Sequence, residues 1–228
     1  MRLFKKLGYK TLKQMQMNYY NKRNIIEMTS IKKQSINEKM VDDIISEVSS
    51  YSLYSVLKTN ECLNKKMIEN LALFLLSANK VLTFGMGNSG IAAQFLTSSL
   101  NKIGINCFNP VSIHDLMIQK EYLKNNDVLI IFSTSLETKE IKFILQKLDS
   151  FKFKTCLVTE EKNKNKYPVD FTVCYSKHDL EVTSFPAIST LTSQIYSVNI
   201  LFNVIMYKLS DTKIKKGNHD NFEWNKSI

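Results

Sequence analysis

Two short segments hold the residues best suited to chemistry. The first is Gly85-Met86-Gly87-Asn88-Ser89-Gly90, with three of the chain's six glycines. Glycine belongs where a backbone turns tightly or approaches a ligand closely. A helix beginning near Asn88 aims free N–H groups and its positive dipole end at the same space, which suits an anion. The second is Ser133-Thr134-Ser135-Leu136-Glu137-Thr138, with four hydroxyls in six residues. One Ser or Thr is enough to cap a helix. Four in one turn favour a cradle whose hydroxyls and backbone amides hold a phosphoryl group without Arg or Lys.

Other site chemistries fit less well. The glycine segment lacks the Gly-Lys-Ser/Thr ending of a triphosphate-binding loop. Gly85, Gly87 and Gly90 do have the G-x-G-x-x-G spacing of a dinucleotide site. The following strand, however, ends in Cys107-Phe108-Asn109, without the acid that would hold a ribose. Cys62, Cys107, Cys156 and Cys174 form no C-x-x-C pair, and His114, His178 and His219 lie far apart. No metal site of the usual spacing results, and no cofactor is expected. Cys107, Cys156 and Cys174 lie in apolar runs and are expected to be buried thiols. An isomerase would need a general base. Glu181 and His178, then His114, are the candidates, and none has a visible orienting partner. Binding therefore ranks above catalysis.

These loops need strands and helices to position them. Apolar runs predict strands at Lys80–Phe84, Ile105–Phe108, Asp127–Phe132, Lys154–Thr159 and Phe171–Tyr175. Helical spacing predicts helices at 36–57, Asn60–Asn79, Asn88–Lys102, Ser112–Tyr122 (capped by Ser112), Glu137–Leu148 and Thr183–Leu209. The alternation implies an α/β fold, a five-stranded parallel sheet between helices and preceded by N-terminal helices, and its order is taken as 2-1-3-4-5 (flavodoxin-like). In that order the two loops follow neighbouring strands, at the point where helices leave on opposite faces and ligands bind.

Phe84-Gly-Met-Gly-Asn-Ser89 and Asp127-Val-Leu-Ile-Ile-Phe-Ser-Thr-Ser-Leu-Glu-Thr138 resemble the two signatures of the SIS (sugar isomerase) family, and Cys156-Leu-Val-Thr159 resembles its next strand. The resemblance covers roughly residues 60–210. It implies a phosphosugar ligand held by Gly87, Asn88, Ser89, Ser133, Thr134, Ser135 and Thr138. Leu136 departs from the family's glycine, and its bulk is expected to narrow the pocket or alter the backbone's approach. Met1-Arg-Leu-Phe-Lys-Lys-Leu-Gly-Tyr-Lys10 resembles the end of the recognition helix in RpiR/MurR-type transcription regulators. That likeness implies a basic remnant of a helix-turn-helix domain over 1–30, with Arg2, Lys5, Lys6 and Lys10 as DNA contacts. A linker and connecting helix over 31–59, the SIS domain over 60–210 and a polar tail over 211–228 complete the organisation.

Composition agrees with that organisation. The chain has 228 residues, 44% hydrophobic and 23% charged, within the globular range. Its net charge of +10 is concentrated at one end, where residues 1–40 hold ten Lys/Arg against two acids. Such an end suits a polyanion such as DNA. No apolar stretch of secretory length follows Met1, and the uncharged Thr183–Tyr207 segment carries too many Ser, Thr, Asn and Gln residues, with Pro186, for a membrane span. A cytoplasmic protein without membrane partners is expected, and the uncharged helix favours a homodimer or higher oligomer. The function these features support is a carbohydrate-metabolism regulator that senses a phosphosugar. The alternatives are an isomerase and an interaction module that has lost its ligand.

Overall fold

A computed structural model describes residues 41–177 and 188–211. The basic candidates Arg2, Lys5, Lys6 and Lys10, the base candidates His178 and Glu181, and the tail from Thr212 lie outside the described residues. The elements in chain order are α1 (Val41–Cys62), α2 (Lys65–Ser77), β1 (Val81–Gly85), α3 (Asn88–Lys102), β2 (Cys107–Phe108), α4 (Ile113–Lys120), β3 (Val128–Phe132), α5 (Lys139–Leu145), β4 (Lys154–Glu160), β5 (Phe171–Tyr175) and α6 (Ile188–Asp211). The chain divides into two compact units at Tyr54/Ser55, inside α1, and the second unit carries the sheet.

All five strands pair in parallel, in the order β2-β1-β3-β4-β5. Strand β3 shows how one sequence serves two cores. Val128, Ile130 and Phe132 join Leu71, Leu75, Leu96, Leu100 and Leu201 on the face covered by α2, α3 and α6. Leu129 and Ile131 point the other way, into a cluster with Leu116 of α4 and Ile141, Ile144 and Leu145 of α5. Successive strand side chains alternate between faces, so a strand buried on both sides must be apolar throughout. Every residue of β3 is buried.

Local signals explain most element ends. The Ser112 hydroxyl accepts from the Asp115 N–H at 3.1 Å and caps α4. Asn64 caps α2 by accepting from the Met67 N–H at 3.1 Å. That cap corrects the helix expected from Asn60: α1 runs on through Cys62, and α2 starts afresh after Asn64, because an Asn side chain competes well for free helix N–H groups. The helix expected over Glu137–Leu148 is shorter, seven residues from Lys139, followed by a separate 3-10 turn at Leu148–Ser150. At the amino edge of the sheet, buried Asp127 accepts from the Lys80 N–H at 2.8 Å and the Lys124 N–H at 2.7 Å. Asp170 does the same for Thr155 at 2.8 Å. Cys107, Cys156 and Cys174 are buried free thiols, as their apolar contexts predict. Among the described residues no helix is long and apolar enough to cross a membrane.

Candidate functional site

Strands β1 and β3 are neighbours, and Gly85 pairs with Phe132 at their carboxyl ends. The glycine and hydroxyl loops therefore leave adjacent strands at the same height.

The glycine loop is tight for a steric reason. A Cβ on Gly85 would lie 2.6 Å from the Ser89 carbonyl oxygen, and one on Gly90 would lie 2.8 Å from the Gly85 oxygen. Both distances are shorter than carbon and oxygen tolerate, so neither position accepts a larger residue without moving the backbone. Gly87 has open space around it but a φ of +57° with ψ of −131°, a region only glycine visits readily. It is the N-cap of α3 and leaves the first turn of that helix without a side-chain cap. The 15-residue helix thus directs uncapped N–H groups out of the loop.

The hydroxyl loop is held by its own side chains. The Ser133 Oγ accepts from the Leu136 N–H, and the Ser135 Oγ from the Glu137 N–H, each at 3.2 Å. A hydroxyl that accepts still has its hydrogen to donate. Thr138 is the N-cap of α5 but makes no side-chain bond to that helix. Since α5 has only seven residues, its dipole adds less here than α3 does at the other loop. Beside the loop, Glu137 is paired with Lys142 at 2.5 Å and Lys166 at 3.4 Å. Its carboxyl is held below the usual range, first by the hydrogen bond from Lys142 and then by that from Lys166.

Leu136, whose bulk is expected to narrow the pocket or alter the backbone's approach, has its side chain in the core. Its φ of +64° is left-handed, the conformation a glycine would supply, yet its side chain is fully buried in the core formed with α4 and α5. The unusual backbone turns the Cβ down into the apolar layer.

A chain of hydrogen bonds joins the two loops. Gln194, fully buried on α6, donates from Nε2 to the Ser89 Oγ at 2.9 Å and to the Tyr175 Oη at 2.8 Å. Tyr175, at the end of β5, donates in turn to the Thr134 Oγ1 at 2.8 Å. Burial pushes the Tyr175 phenol well above its ordinary value, so it keeps its proton. Asn163 donates to the Thr134 carbonyl at 2.7 Å and fixes the loop from the β4 side. The Gln194 Oε1 is buried with no hydrogen-bond partner among the described residues. Nearby Glu160, at the end of β4, is buried too, and its Oε2 meets the Lys162 ammonium at 3.0 Å.

The structure thus brings Ser89 and Thr134 into one network and places Ser133, Ser135 and Thr138 on the same loop as Thr134. His114 lies in the first turn of α4, on neither loop. Tyr175, Gln194 and Asn163 escaped the sequence reading. A signal for Gln194 did exist: Thr190, Ser193, Gln194 and Ser197 recur at helical spacing within an uncharged helix, and all four are buried. A buried polar stripe implies partners that satisfy it. A separate apolar groove, lined by Leu63, Ile68, Ile200, Val204 and Tyr207, shares no residue with either loop. No cluster of three metal-ligating side chains occurs among the described residues.

Comparison with known proteins supplies the context. The family model for the SIS domain matches residues 74–204. An uncharacterized HTH-type transcriptional regulator of Clostridium perfringens is 21% identical over 220 residues, covering 94% of this chain and 77% of that protein. Among solved structures, the Vibrio vulnificus NanR protein complexed with ManNAc-6P superposes with a TM-score of 0.67 at 17% identity, over 93% of this chain and 75% of that one. The sugar isomerase domain of an RpiR transcription factor from Sphaerobacter thermophilus gives 0.63 at 20% identity, over 74% and 92%. At these identities the structural likeness establishes the fold.

Proposed function

The chain belongs to the SIS-domain family, and we propose that it is the phosphosugar-sensing part of a transcription regulator. The supporting observation is the hydrogen-bond chain Ser89–Gln194–Tyr175–Thr134, which ties the two donor-bearing loops together. In this reading the uncapped N–H groups at Gly87–Ser89 and the hydroxyls of Ser89, Ser133, Thr134, Ser135 and Thr138 surround the phosphoryl oxygens. All are donors, and a phosphate dianion only accepts. The sugar then extends toward the open side of the cleft.

The regulator relatives support sensing over turnover. Binding that favours one arrangement of the assembly changes its affinity for DNA by the same coupling free energy. The basic residues Arg2, Lys5, Lys6 and Lys10 are the proposed DNA contacts. Exposed Met86, Ile91 and Phe95, on and beside α3, form an apolar stripe suited to self-association. A cytoplasmic homodimer or higher oligomer follows from this reading. Leu136, which would have favoured a cleft without a ligand, points into the core instead.

The test is calorimetric titration of the full chain with hexose 6-phosphates, N-acetylmannosamine 6-phosphate, N-acetylmuramate 6-phosphate and inorganic phosphate. One phosphosugar binds, and at about a hundred times its Kd it stabilises the fold by roughly 2.7 kcal/mol. Thr138→Val weakens binding about tenfold, as expected for one lost charge-assisted hydrogen bond, with little change in stability. A chain that binds no member of the panel refutes the proposal. Conversion of a bound phosphosugar to its isomer, followed by NMR, would make the protein an isomerase.

A further inference from the structure

The phosphosugar reading leaves one buried group unexplained. Gln194 is 0% exposed, uses its amide nitrogen for two hydrogen bonds and leaves its carbonyl oxygen with no partner among the described residues. A buried amide usually settles so that its oxygen is paired, because an unsatisfied buried acceptor costs about 1–3 kcal/mol. Here the amide nitrogen faces the two hydroxyl groups and the oxygen is left unpaired.

The consequence lies in direction. An amide nitrogen donates and does not accept. Ser89 Oγ therefore receives a hydrogen from Gln194, and its own hydrogen must go elsewhere. Tyr175 Oη also receives one and passes its own to Thr134 Oγ1. Thr134 Oγ1, once it accepts, has its hydrogen free to donate. Both branches start at one nitrogen and run outward, one to each loop.

We propose that Gln194 is a positioning residue that fixes Ser89 and Thr134 as hydrogen donors toward the cleft, so that the cleft favours a fully ionised phosphoryl group, an acceptor with no hydrogen to offer. This inference rests on the phosphosugar reading and adds a residue on α6 that bonds one loop directly, at Ser89, and reaches the other through Tyr175.

The amide contrasts sharply with its closest isostere. In Gln194→Glu an ionised carboxylate accepts from Ser89 and Tyr175, turns their hydrogens inward and leaves the loops with lone pairs facing the phosphate. Gln194→Leu removes the donor without reversing it. Tyr175→Phe cuts the branch to Thr134 and leaves the Gln194–Ser89 bond intact, so it serves if a change at 194 compromises folding.

The experiment is titration of the wild type and the three variants with the tightest binder of the panel above, and with inorganic phosphate, between about pH 5.5 and 8. Thermal denaturation checks each variant's fold. The expected order at pH 8 is wild type tightest, Tyr175→Phe and Gln194→Leu weaker by about tenfold, and Gln194→Glu weaker by about a hundredfold, on the scale of one and two hydrogen bonds to a charged group. The ratio between wild type and Gln194→Glu narrows as pH falls, because a protonated glutamic acid donates again. A merely structural role gives no such pH-dependent rescue. Folded Gln194→Glu binding within threefold of wild type at pH 8 overturns the proposal, as does a ratio that stays constant with pH. If 194 variants do not fold, Tyr175→Phe binding like the wild type overturns it. A wild-type chain that binds none of the probes overturns the phosphosugar reading itself, and this proposal with it.

Discussion

Leu136 offers a test in which the difference between two variants matters more than the size of either effect. It sits at φ +64° with its side chain fully buried beside Leu82, Phe84 and Leu116. A left-handed backbone costs an L-residue about 1–2 kcal/mol. Burying a leucine side chain contributes about 1.5–3 kcal/mol, and replacing a buried leucine with alanine costs about 2–5 kcal/mol once the cavity is included. Leu136→Ala keeps the strained backbone and loses the packing, so it destabilises by about 2–5 kcal/mol. Leu136→Gly loses that packing and the buried Cβ as well, about 0.8 kcal/mol more, but relieves the strain. Glycine's extra unfolded-state entropy opposes that relief by about 0.5–1 kcal/mol. The two variants therefore lie within about 1 kcal/mol of each other, whereas at an ordinary buried position, with no strain to relieve, glycine is the less stable by roughly 1.5 kcal/mol. Urea denaturation followed by far-UV circular dichroism measures both against the wild type. Phosphosugar affinity stays within about threefold in Leu136→Gly, because the side chain faces the core. A glycine variant less stable than the alanine variant by about 1.5 kcal/mol or more, or an alanine variant within about 0.5 kcal/mol of wild type, would refute the reasoning.

Other expectations follow from the same geometry. Gly85→Ala places a Cβ 2.6 Å from the Ser89 carbonyl oxygen; the loop shifts, the chain loses about 1–3 kcal/mol in the same denaturation assay, and phosphosugar binding falls with it. Asp170 is a pH probe. Burial opposes its ionisation, but the Lys154 ammonium and the Thr155 N–H outweigh this and hold its carboxyl below the usual range. A depressed carboxyl stabilises the fold above its unfolded-state value and loses that contribution as pH falls through the folded one. Asp170→Asn is therefore less stable than wild type at neutral pH, and the gap closes below about pH 4. A gap that persists unchanged in acid would show that Asp170 acts by packing alone.

Much of this architecture follows from local sequence. The alternation of apolar runs with helical periods identifies the parallel sheet. Phe171–Tyr175 and Asn88–Lys102 lie where the apolar run and the helical period place them. With the order 2-1-3-4-5 assumed, β1 and β3 are neighbours and the two loops meet, and the strand pairing bears that order out. Tertiary structure decided how the loops are wired. Gln194 and Ser89 are 105 residues apart, and Tyr175 and Thr134 are 41 apart, so no window of sequence reveals their bonds. The side chain of Leu136 is likewise a tertiary outcome. Its sequence position says only that a bulky residue stands where the family has glycine. Whether that bulk fills the cleft or the core depends on a single positive φ, and the apolar layer waiting between α4 and α5 makes that angle affordable.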